Sequence, residues 1–236
     1  MQNKPGFSND LDTVFEKIQE IAARSTSGDY IYRGEPEHYQ EAPYGGKVSS
    51  NLWRQFRKEM GEEPFDVQAI QDQMLEAARS YTHEKDDVEI LTELQHYGGQ
   101  TNLIDFTTDY HIALFFACDG ADDKNGRIVL LPKTEDMEDP INPPRNPRNR
   151  VIAQKSTFVR PPKGFLEPEQ FTTIDIPQCL KQPMLNHLRK YHGIATETVY
   201  NDLHGFIRNQ GVHQRAYLEL YRSGAEPVDD SVLLEK

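Results

Sequence analysis

Arg33 is the first side chain of this sequence whose type and position could carry chemistry. It lies near the end of the segment YIYRGE and is followed by Gly34. A guanidinium presents a planar fork that suits a phosphate or a carboxylate, and the glycine would let a ligand or another backbone come close. The alternative is a structural ion pair with Glu35 or Asp105, which is the favoured interpretation of this segment taken alone.

The stretch LQHYGGQTNLIDFTTDYHIALFFACDG, residues 94–120, places more polar side chains at the joints of an apolar segment. His96 could act as an acid, a base or a donor to a ribose, or it could end a helix before the Gly-Gly turn. Asp105 lies in a short apolar strand, so we expect a buried carboxylate paired with Arg33. Residues 107–109 precede an apolar helix, and at least one of them is predicted to be its N-cap.

Two other places are candidates for ligand contacts. The segment RNPRNR, residues 145–150, is the one local basic cluster, and it is either a solvated loop or a contact to phosphate or nucleic acid. Gln154 could bind a substrate amide or pair within the core. The sequence has no phosphate-binding loop with a lysine, no His-Glu-x-x-His motif and no Gly-x-Ser-x-Gly motif, so kinase and hydrolase functions have little support.

The composition is that of a polar globular protein of one domain. The 236 residues are 36% hydrophobic and carry a formal net charge of −12, which disfavours a general nucleic-acid binder because such proteins carry a basic stripe. The cysteines, Cys118 and Cys179, are far apart, so neither a zinc site nor a disulfide framework is predicted. No signal region or apolar run of membrane length is recognised, and we therefore expect a cytoplasmic protein.

Helical and strand patterns alternate along the chain and predict an α+β fold, with a small mixed sheet and helical N- and C-terminal flanks. The predicted strands are YIYRGE, TNLIDF, GRIVLLP, FTTIDIP and, as a strand pair or a bent strand, VIAQKSTFV. We expect an N-terminal helix over 1–28 and a single domain over 29–222 that is mostly helical from about 177. A disordered tail is expected over 223–236.

Four segments together resemble the FRG domain family, which is named for its aromatic-Arg-Gly motif. They are YIYRGE, LQHYGGQTNLIDFTTDYHIALFFAC, NRVIAQKSTFV and GIATETVYNDLHGFI, and the resemblance spans roughly residues 29–209. The long central segment is the specific part, because a match of that length is not expected by chance. The family usually has a basic residue where this chain has Asn102. The family name alone implies little about function.

The order of the motifs also resembles that of ADP-ribosyltransferases of the Arg/Ser-Thr-Ser/Glu type. In that family a first strand carries an Arg that holds NAD, a later strand ends in Ser-Thr-Ser, and a catalytic Glu opens a further strand. Arg33 matches the first element, residues 106–108 match the second, and GRIVLLP matches the strand after it. The position of the catalytic Glu holds Asn149 or Arg150, and neither can stabilise positive charge on a ribose.

This second resemblance implies an enzyme, an NAD-dependent ADP-ribosyltransferase that modifies nucleic acid or protein, in the setting of a bacterial toxin or of phage defence. NAD is the expected substrate, no metal is expected, and the partners are a macromolecular acceptor and a regulatory protein but no membrane. The implied NAD-binding residues are Arg33, Gly34, Thr107 and Gln154, and the implied catalytic residues are Asp105, His96 and Glu35.

Two other functions stay open at this stage. A non-catalytic module could bind a nucleotide or a partner protein through the same cleft, and the missing Glu favours this possibility. A nuclease-type toxin could use His96 and Asp105 without NAD. All three hypotheses require Arg33 for function.

Overall fold

The computed structural model describes residues 8–25, 28–133 and 149–202, and a few positions between 205 and 222. The α+β class is confirmed. The helices are α1 (Ser8–Arg24), α2 (Asn51–Met60), α3 (Val67–Ala78), α4 (Asp87–His96), α5 (Tyr110–Cys118), α6 (Asn149–Ala153), α7 (Gln178–His187) and α8 (Thr196–Val199), with a 3-10 turn at Pro168–Gln170 and a π-helical turn at Leu188–His192. The strands are β1 (Tyr30–Glu35), β2 (Val48–Ser49), β3 (Ile104–Thr107), β4 (Gly126–Pro132), β5 (Ser156–Val159), β6 (Phe165–Leu166) and β7 (Thr172–Ile176).

One five-stranded sheet runs in the order β5–β3–β1–β4–β7, and its neighbouring strands are all antiparallel. The sheet is therefore antiparallel where the sequence suggested a mixed one. Strand β1 pairs with β4 along its whole length but with β3 at a single position, Tyr32 opposite Thr107. Strands β1 and β3 separate beyond that pair, which opens the sheet beside Arg33.

Each face of the sheet has its own apolar core. On one face lies α5, which is almost entirely buried as its composition predicts, with α1 and α7 packed around it. The other face is closed by the two-stranded ribbon of β2 and β6 together with Phe171. Smaller clusters hold α3 to α4 and α2 to α3. Within the described ranges, no helix is both long enough and apolar enough to cross a membrane.

Helix α5 comes very close to the sheet because glycines lie beneath its alanines. A Cβ on Gly34 would lie 1.8 Å from the carbonyl oxygen of Ala113, and one on Gly126 would lie 2.1 Å from that of Ala117. Of the two explanations for the glycine after Arg33, the approach of another backbone is therefore the one that the packing of α5 supplies.

Residues 151–159, VIAQKSTFV, differ from the strand pair or bent strand that was predicted, and the difference begins at Asn149. They form the short helix α6, a turn at Gln154–Lys155 and the single strand β5. Lys155 adopts a positive φ of 46°, which ends the helix and reverses the chain into β5. Apolar alternation cannot reveal such a break, because a one-turn helix and a short strand bury similar numbers of side chains.

The chain from Gln178 to Val199 is mostly helical, as predicted. Residues 145–148 of the basic cluster and the expected tail, 223–236, lie outside the described residues. Cys118 is buried and Cys179 is exposed, and both are free thiols.

Three histidine rings meet where α5, α7 and the π-helical turn come together. The ring of His192 lies 4.3 Å from that of His111 and 5.4 Å from that of His187. His187 is 6% exposed and its Nδ1 has no hydrogen-bond partner. Burial lowers the pKa of His187, and charge on His192 and His111 lowers it further. The fold therefore favours the neutral form of this imidazole.

Substitution of Gly34 by alanine is expected to lower the free energy of unfolding by about 3 kcal/mol or more, because the new methyl group would overlap the backbone of α5. Urea denaturation followed by circular dichroism measures the loss. Gly28→Ala is the control, since a Cβ there meets nothing within 4 Å and only its positive φ is strained. A loss at Gly34 no larger than at Gly28 would contradict the packing described.

The pH dependence of stability should depend on His187. Because the pKa of His187 is lowered in the fold, the unfolded chain takes up the proton more readily. The contribution of His187 to the free energy of unfolding is therefore fully present above about pH 6.5 and is lost as the pH falls below that value. His187→Phe is expected to flatten the slope of unfolding free energy between about pH 5 and pH 7. The exposed His83→Phe should keep it; equal slopes in the two variants would exclude His187 as the cause.

Candidate functional site

A cleft of about 290 Å³ opens where β1 and β3 separate. This volume is near the lower end of the range for small-molecule sites. Its walls come from β1, α4, β3, α5, the α6–β5 segment and the residue after α8. The lining residues are Tyr32, Arg33, Gly34, Thr92, Gln95, His96, Asp105, Phe106, Thr107, Phe116, Val151, Gln154, Ser156, Phe158 and Tyr200.

The cleft brings together the site residues predicted from the sequence, with one exception. The predicted site residues that line it are Arg33, Gly34, His96, Asp105, Thr107 and Gln154. Glu35 lies outside the cleft: its side chain is 2% exposed and accepts hydrogen bonds from two guanidiniums. Arg33 Nε donates to Oε1 at 2.9 Å, and Arg127 Nε donates to Oε2 at 2.9 Å. A carboxylate held in this way is not available to a substrate.

Arg33 is both a structural residue and a cleft residue. Besides its bond to Glu35, its Nη1 donates to the backbone oxygen of Asp105 at 2.9 Å, across the gap between the separated strands. Although burial opposes the charge, Glu35 and then Asp105 raise the pKa of Arg33 above its ordinary value. The guanidinium is thus a fixed positive charge at the rim of the cleft, with 19% of the side chain exposed.

Asp105 is not the buried partner of Arg33 that the sequence suggested. It is the exposed residue of β3, whose other residues are buried, and its Oδ1 accepts a hydrogen bond of 2.7 Å from Gln95 Nε2. The separation of β1 from β3 explains the difference, because it leaves this side of β3 uncovered. The carboxylate of Asp105 therefore faces the cleft.

His96 ends α4, which is one of the two interpretations that the sequence left open, and it pairs with a residue that sequence analysis missed. Its Nε2 lies 3.5 Å from Oδ2 of Asp202, and both side chains are 12% exposed. Asp202 Oδ1 also accepts a hydrogen bond of 2.6 Å from the backbone N–H of Gly205. Asp202 lies in the segment GIATETVYNDLHGFI, but nothing in its spacing points to a histidine so far away in the chain.

Aromatic rings form the side of the cleft that sequence reasoning also missed. The rings of Phe116 and Tyr200 lie 6.0 Å apart in an edge-to-face arrangement, and the Tyr200 hydroxyl donates to Asp119 Oδ2 at 3.0 Å. Gln154 Nε2 donates to the backbone oxygen of Val199 at 3.1 Å, which fixes its carboxamide beside them. Such a wall suits the flat ring of a base or of nicotinamide.

The end of the cleft at which β1 and β3 still pair is built from the residues that join β3 to α5. Thr107 Oγ1 accepts from the backbone N–H of Asp109 at 3.1 Å, and Asp109 accepts from the N–H of His111 as the predicted N-cap of α5. Hydrogen bonds to His111 and Lys155 hold the pKa of Asp109 well below its usual range. Thr107 is thereby fixed at the one position where β1 and β3 still pair.

These groups can bind an anionic, ring-bearing ligand and stabilise positive charge near Asp105. Arg33 supplies a fixed cation, Asp105 an anion, His96 with Asp202 an acid–base pair, and Tyr200 a ring surface. Among the described residues, no group of three or more His, Cys, Asp or Glu side chains is arranged to hold a metal ion.

Comparison with known proteins supports the first of the two resemblances. Residues 28–126 match the FRG domain family, which is less than half of the chain and shorter than the span of 29–209 expected from the motifs. No curated protein and no solved structure matches significantly, so the ADP-ribosyltransferase resemblance gains no support from these comparisons. The matched range contains Arg33, His96, Asp105 and Thr107 but ends before Gln154, Tyr200 and Asp202.

The two carboxylates Glu35 and Asp105 should differ sharply in what they contribute to stability. Glu35→Ala would leave two guanidiniums without their shared carboxylate, so the free energy of unfolding should fall by about 3–5 kcal/mol. The exposed Asp105→Ala should change it by less than about 1 kcal/mol. Denaturant titrations of both variants test this, and similar losses would refute the assignment of Glu35 to structure and Asp105 to the cleft.

Proposed function

We propose that this protein is an NAD-dependent ADP-ribosyltransferase, which transfers ADP-ribose from NAD to a macromolecule. The observation that carries the proposal is the gap between β1 and β3, at which Arg33, Asp105 and Thr107 come together with His96. A cation for phosphate, an anion for a charged sugar and a ring surface are the groups that binding and cleaving NAD require.

Arg33 would hold the diphosphate of NAD. Its Nε is committed to Glu35 and its Nη1 to the backbone of Asp105, so the guanidinium plane is fixed before any ligand arrives. A fixed fork loses little conformational entropy when it binds a phosphate. Thr107 would contact the nicotinamide ribose, and the fixed carboxamide of Gln154 would meet the nicotinamide amide beside the rings of Phe116 and Tyr200.

Asp105 would supply the negative charge that the missing Glu supplies in the transferases that the sequence resembles. The bond between the ribose C1′ and the nicotinamide nitrogen breaks, and its electron pair leaves with neutral nicotinamide. Positive charge then develops on C1′ and the ring oxygen, and a carboxylate nearby lowers the energy of that state. Gln95 orients the Asp105 carboxylate by the hydrogen bond to Oδ1.

His96 would act as the base for the acceptor. A nucleophilic group of the acceptor forms the new bond to C1′ and loses its proton to the imidazole, and Asp202 stabilises the imidazolium that results. The acceptor is nucleic acid or protein, and the setting that we propose is a cytoplasmic toxin or phage-defence effector controlled by a regulatory partner. The net charge of −12 argues against an extended nucleic-acid surface, so a nucleic-acid acceptor would be bound locally.

A nuclease-type activity is the second candidate, and the pairing of His96 with Asp202 is the observation that favours it. An imidazole held by a carboxylate can deprotonate a ribose hydroxyl for attack on the neighbouring phosphate. Arg33 would then bind the scissile phosphate instead of NAD. This activity would need neither NAD nor the ring surface of Tyr200. A non-catalytic nucleotide-binding module would need Arg33 but not Asp105.

The decisive variant is Asp105→Asn, which keeps the shape of the side chain and removes its charge. We expect the rate of nicotinamide release from NAD to fall by about 10²–10³-fold, with the Kd for NAD unchanged within a few-fold. Labelled NAD and a cell extract are incubated with the protein, and nicotinamide and the label in RNA, DNA and protein fractions are measured. Arg33→Ala should instead raise the Kd by about 10- to 100-fold.

The exposed Asp175→Asn on β7 is the control and should match the wild type, since Asp175 lies outside the cleft. NAD binding without turnover in the wild type would reject the transferase in favour of the binding module. Cleavage of RNA in the absence of NAD would instead identify the nuclease-type activity.

A further inference from the structure

A threonine outside the cleft is bonded to the side chain that holds Asp105. Gln95 and Asp105 both line the cleft, and Gln95 Nε2 donates to Asp105 Oδ1 at 2.7 Å. The other end of the same carboxamide, Oε1, accepts a hydrogen bond from the hydroxyl of Thr101. Thr101 is 0% exposed and is not among the residues that line the cleft. The Gln95 carboxamide is therefore bonded at both ends, to a buried hydroxyl and to an exposed carboxylate.

The chemistry of the carboxylate fixes the direction of these bonds. An ionised Asp105 can only accept, so the NH2 group of Gln95 must face it and the oxygen Oε1 must face Thr101. A hydroxyl has one proton, and that of Thr101 is thereby committed to Gln95. Thr101 Oγ1 accepts in turn from the backbone N–H of Leu103 at 3.3 Å. The donors therefore all point the same way, from a backbone N–H in the core to the carboxylate in the cleft, and bonds in such a chain strengthen one another.

The turn after α4 brings Thr101 back to Gln95, which lies six residues earlier in the chain. The N–H of Gly98 donates to the backbone oxygen of Gln95 at 3.0 Å, and that of Gly99 donates to the oxygen of Leu94 at 2.8 Å. Gly98 has a φ of 89°, and a Cβ on Gly99 would lie 2.9 Å from the Leu94 oxygen. The positive φ and the close approach both favour glycine. The Gly-Gly pair of the sequence thus places the threonine hydroxyl beside the carboxamide.

The segment that carries Thr101 is fixed by bonds to other parts of the fold. Its backbone oxygen accepts from the N–H of Leu52 in α2 at 3.2 Å. The next residue, Asn102, is fully buried, and its backbone N–H donates to the side-chain oxygen of Gln71 in α3 at 2.5 Å. Asn102 Nδ2 also donates to the backbone oxygen of Pro161 at 3.0 Å. A hydroxyl on a segment held in this way can keep its acceptor in one position.

We propose that Thr101 is a positioning residue for the reaction, and that through Gln95 it holds the carboxylate of Asp105 where positive charge develops on the ribose. Asp105 is exposed, so without the bond to Gln95 its carboxylate would turn more freely. A carboxylate that is already oriented does not have to reorganise when the charge forms, and this lowers the barrier. The role in catalysis rests on the proposed function, whereas the hydrogen-bonded chain itself does not.

Two substitutions of Thr101 separate its hydroxyl from its shape. Thr101→Val keeps the shape of the side chain and removes the hydroxyl, whereas Thr101→Ser keeps the hydroxyl. We expect the rate of nicotinamide release from NAD to fall about 10-fold in Thr101→Val, with the Kd for NAD unchanged within a few-fold, and to return to near the wild-type rate in Thr101→Ser. In the Asp105→Asn background, Thr101→Val should cause no further loss, because the charge that it positions is already absent. A merely structural role would lower the rate by the same factor in both backgrounds.

Gln95→Met removes the same link at a partly buried position, where the fold is less at risk than at Thr101, and should show the same loss. This variant also identifies the side-chain amide signal of Gln95 in the nuclear magnetic resonance spectrum, since the signal is absent from it. Without NAD, we expect the two amide proton resonances of Gln95 to move in Thr101→Val and to stay near their wild-type positions in Thr101→Ser. The exposed Thr172→Val on β7 is the control and should leave them in place.

Gln95 resonances that do not move in Thr101→Val would overturn the proposal. So would a rate of nicotinamide release in Thr101→Val or Gln95→Met equal to that of the wild type. If the wild type releases no nicotinamide while the Gln95 resonances respond to Thr101→Val and not to Thr101→Ser, the proposed function fails and the positioning of Gln95 by Thr101 stands. Nicotinamide release by the wild type together with unmoved Gln95 resonances would do the reverse.

Discussion

The carboxylate of Glu35 is the group on which the arrangement of the cleft depends. A buried charge is tolerated only when its hydrogen-bonding positions are filled, and Glu35 meets this requirement with Arg33 beside it and Arg127 opposite it on β4. The same contacts fix the guanidinium of Arg33 at the gap between β1 and β3. Glu35, which does not line the cleft, therefore determines where the positive charge of Arg33 lies.

The other face of the sheet imposes a matching constraint. Helix α5 rests directly on Gly34 and Gly126, so β1 and β4 cannot move away from it without loss of packing. The same helix is capped by Asp109, whose backbone N–H donates a hydrogen bond to Thr107 at the end of β3. Strand β3 is thus anchored at Thr107, where it still pairs with β1, whereas the residues of β3 before Thr107 do not pair with β1. A short pairing followed by a gap is the geometry that the cleft requires.

Local features of the site could be predicted from the sequence, and those that depend on the neighbours of a strand could not. The N-cap role of Asp109, the end of a helix at His96 and the burial of α5 follow from residue types and helical spacing over a few positions. The exposure of Asp105 does not, because an apolar strand is expected to be covered on both sides. It is uncovered here only because β1 diverges, and strand pairing is a property of the whole sheet.

The same limit applies to the choice between the two candidate carboxylates. Glu35 and Asp105 are both candidate partners of Arg33 in the sequence, and the sequence does not say which of the two carboxylates the guanidinium binds. In the structure the side chain of Arg33 binds Glu35, which Arg127 holds in place from β4. Arg127 lies between a glycine and an isoleucine, and this position gives no sign of a buried ion pair. Asp202 was missed for a related reason, since its contact to His96 joins segments about a hundred residues apart.

The division of the cleft along the chain bears on how its function could vary. The region that matches the FRG family contains the charged groups Arg33, His96 and Asp105, whereas Gln154, Tyr200 and the partner of His96, Asp202, come from residues after it. Fold and function are separable in this sense, because a site can keep its charged residues while the other residues that line the cleft change. Under the proposed function, a related chain with the same 28–126 region and other residues after it would keep the cation for phosphate but bind a different ring. Under the proposed function, the residues from Gln154 to Asp202 would decide which ring the cleft binds, and the region that carries the family match would hold the phosphates of the ligand.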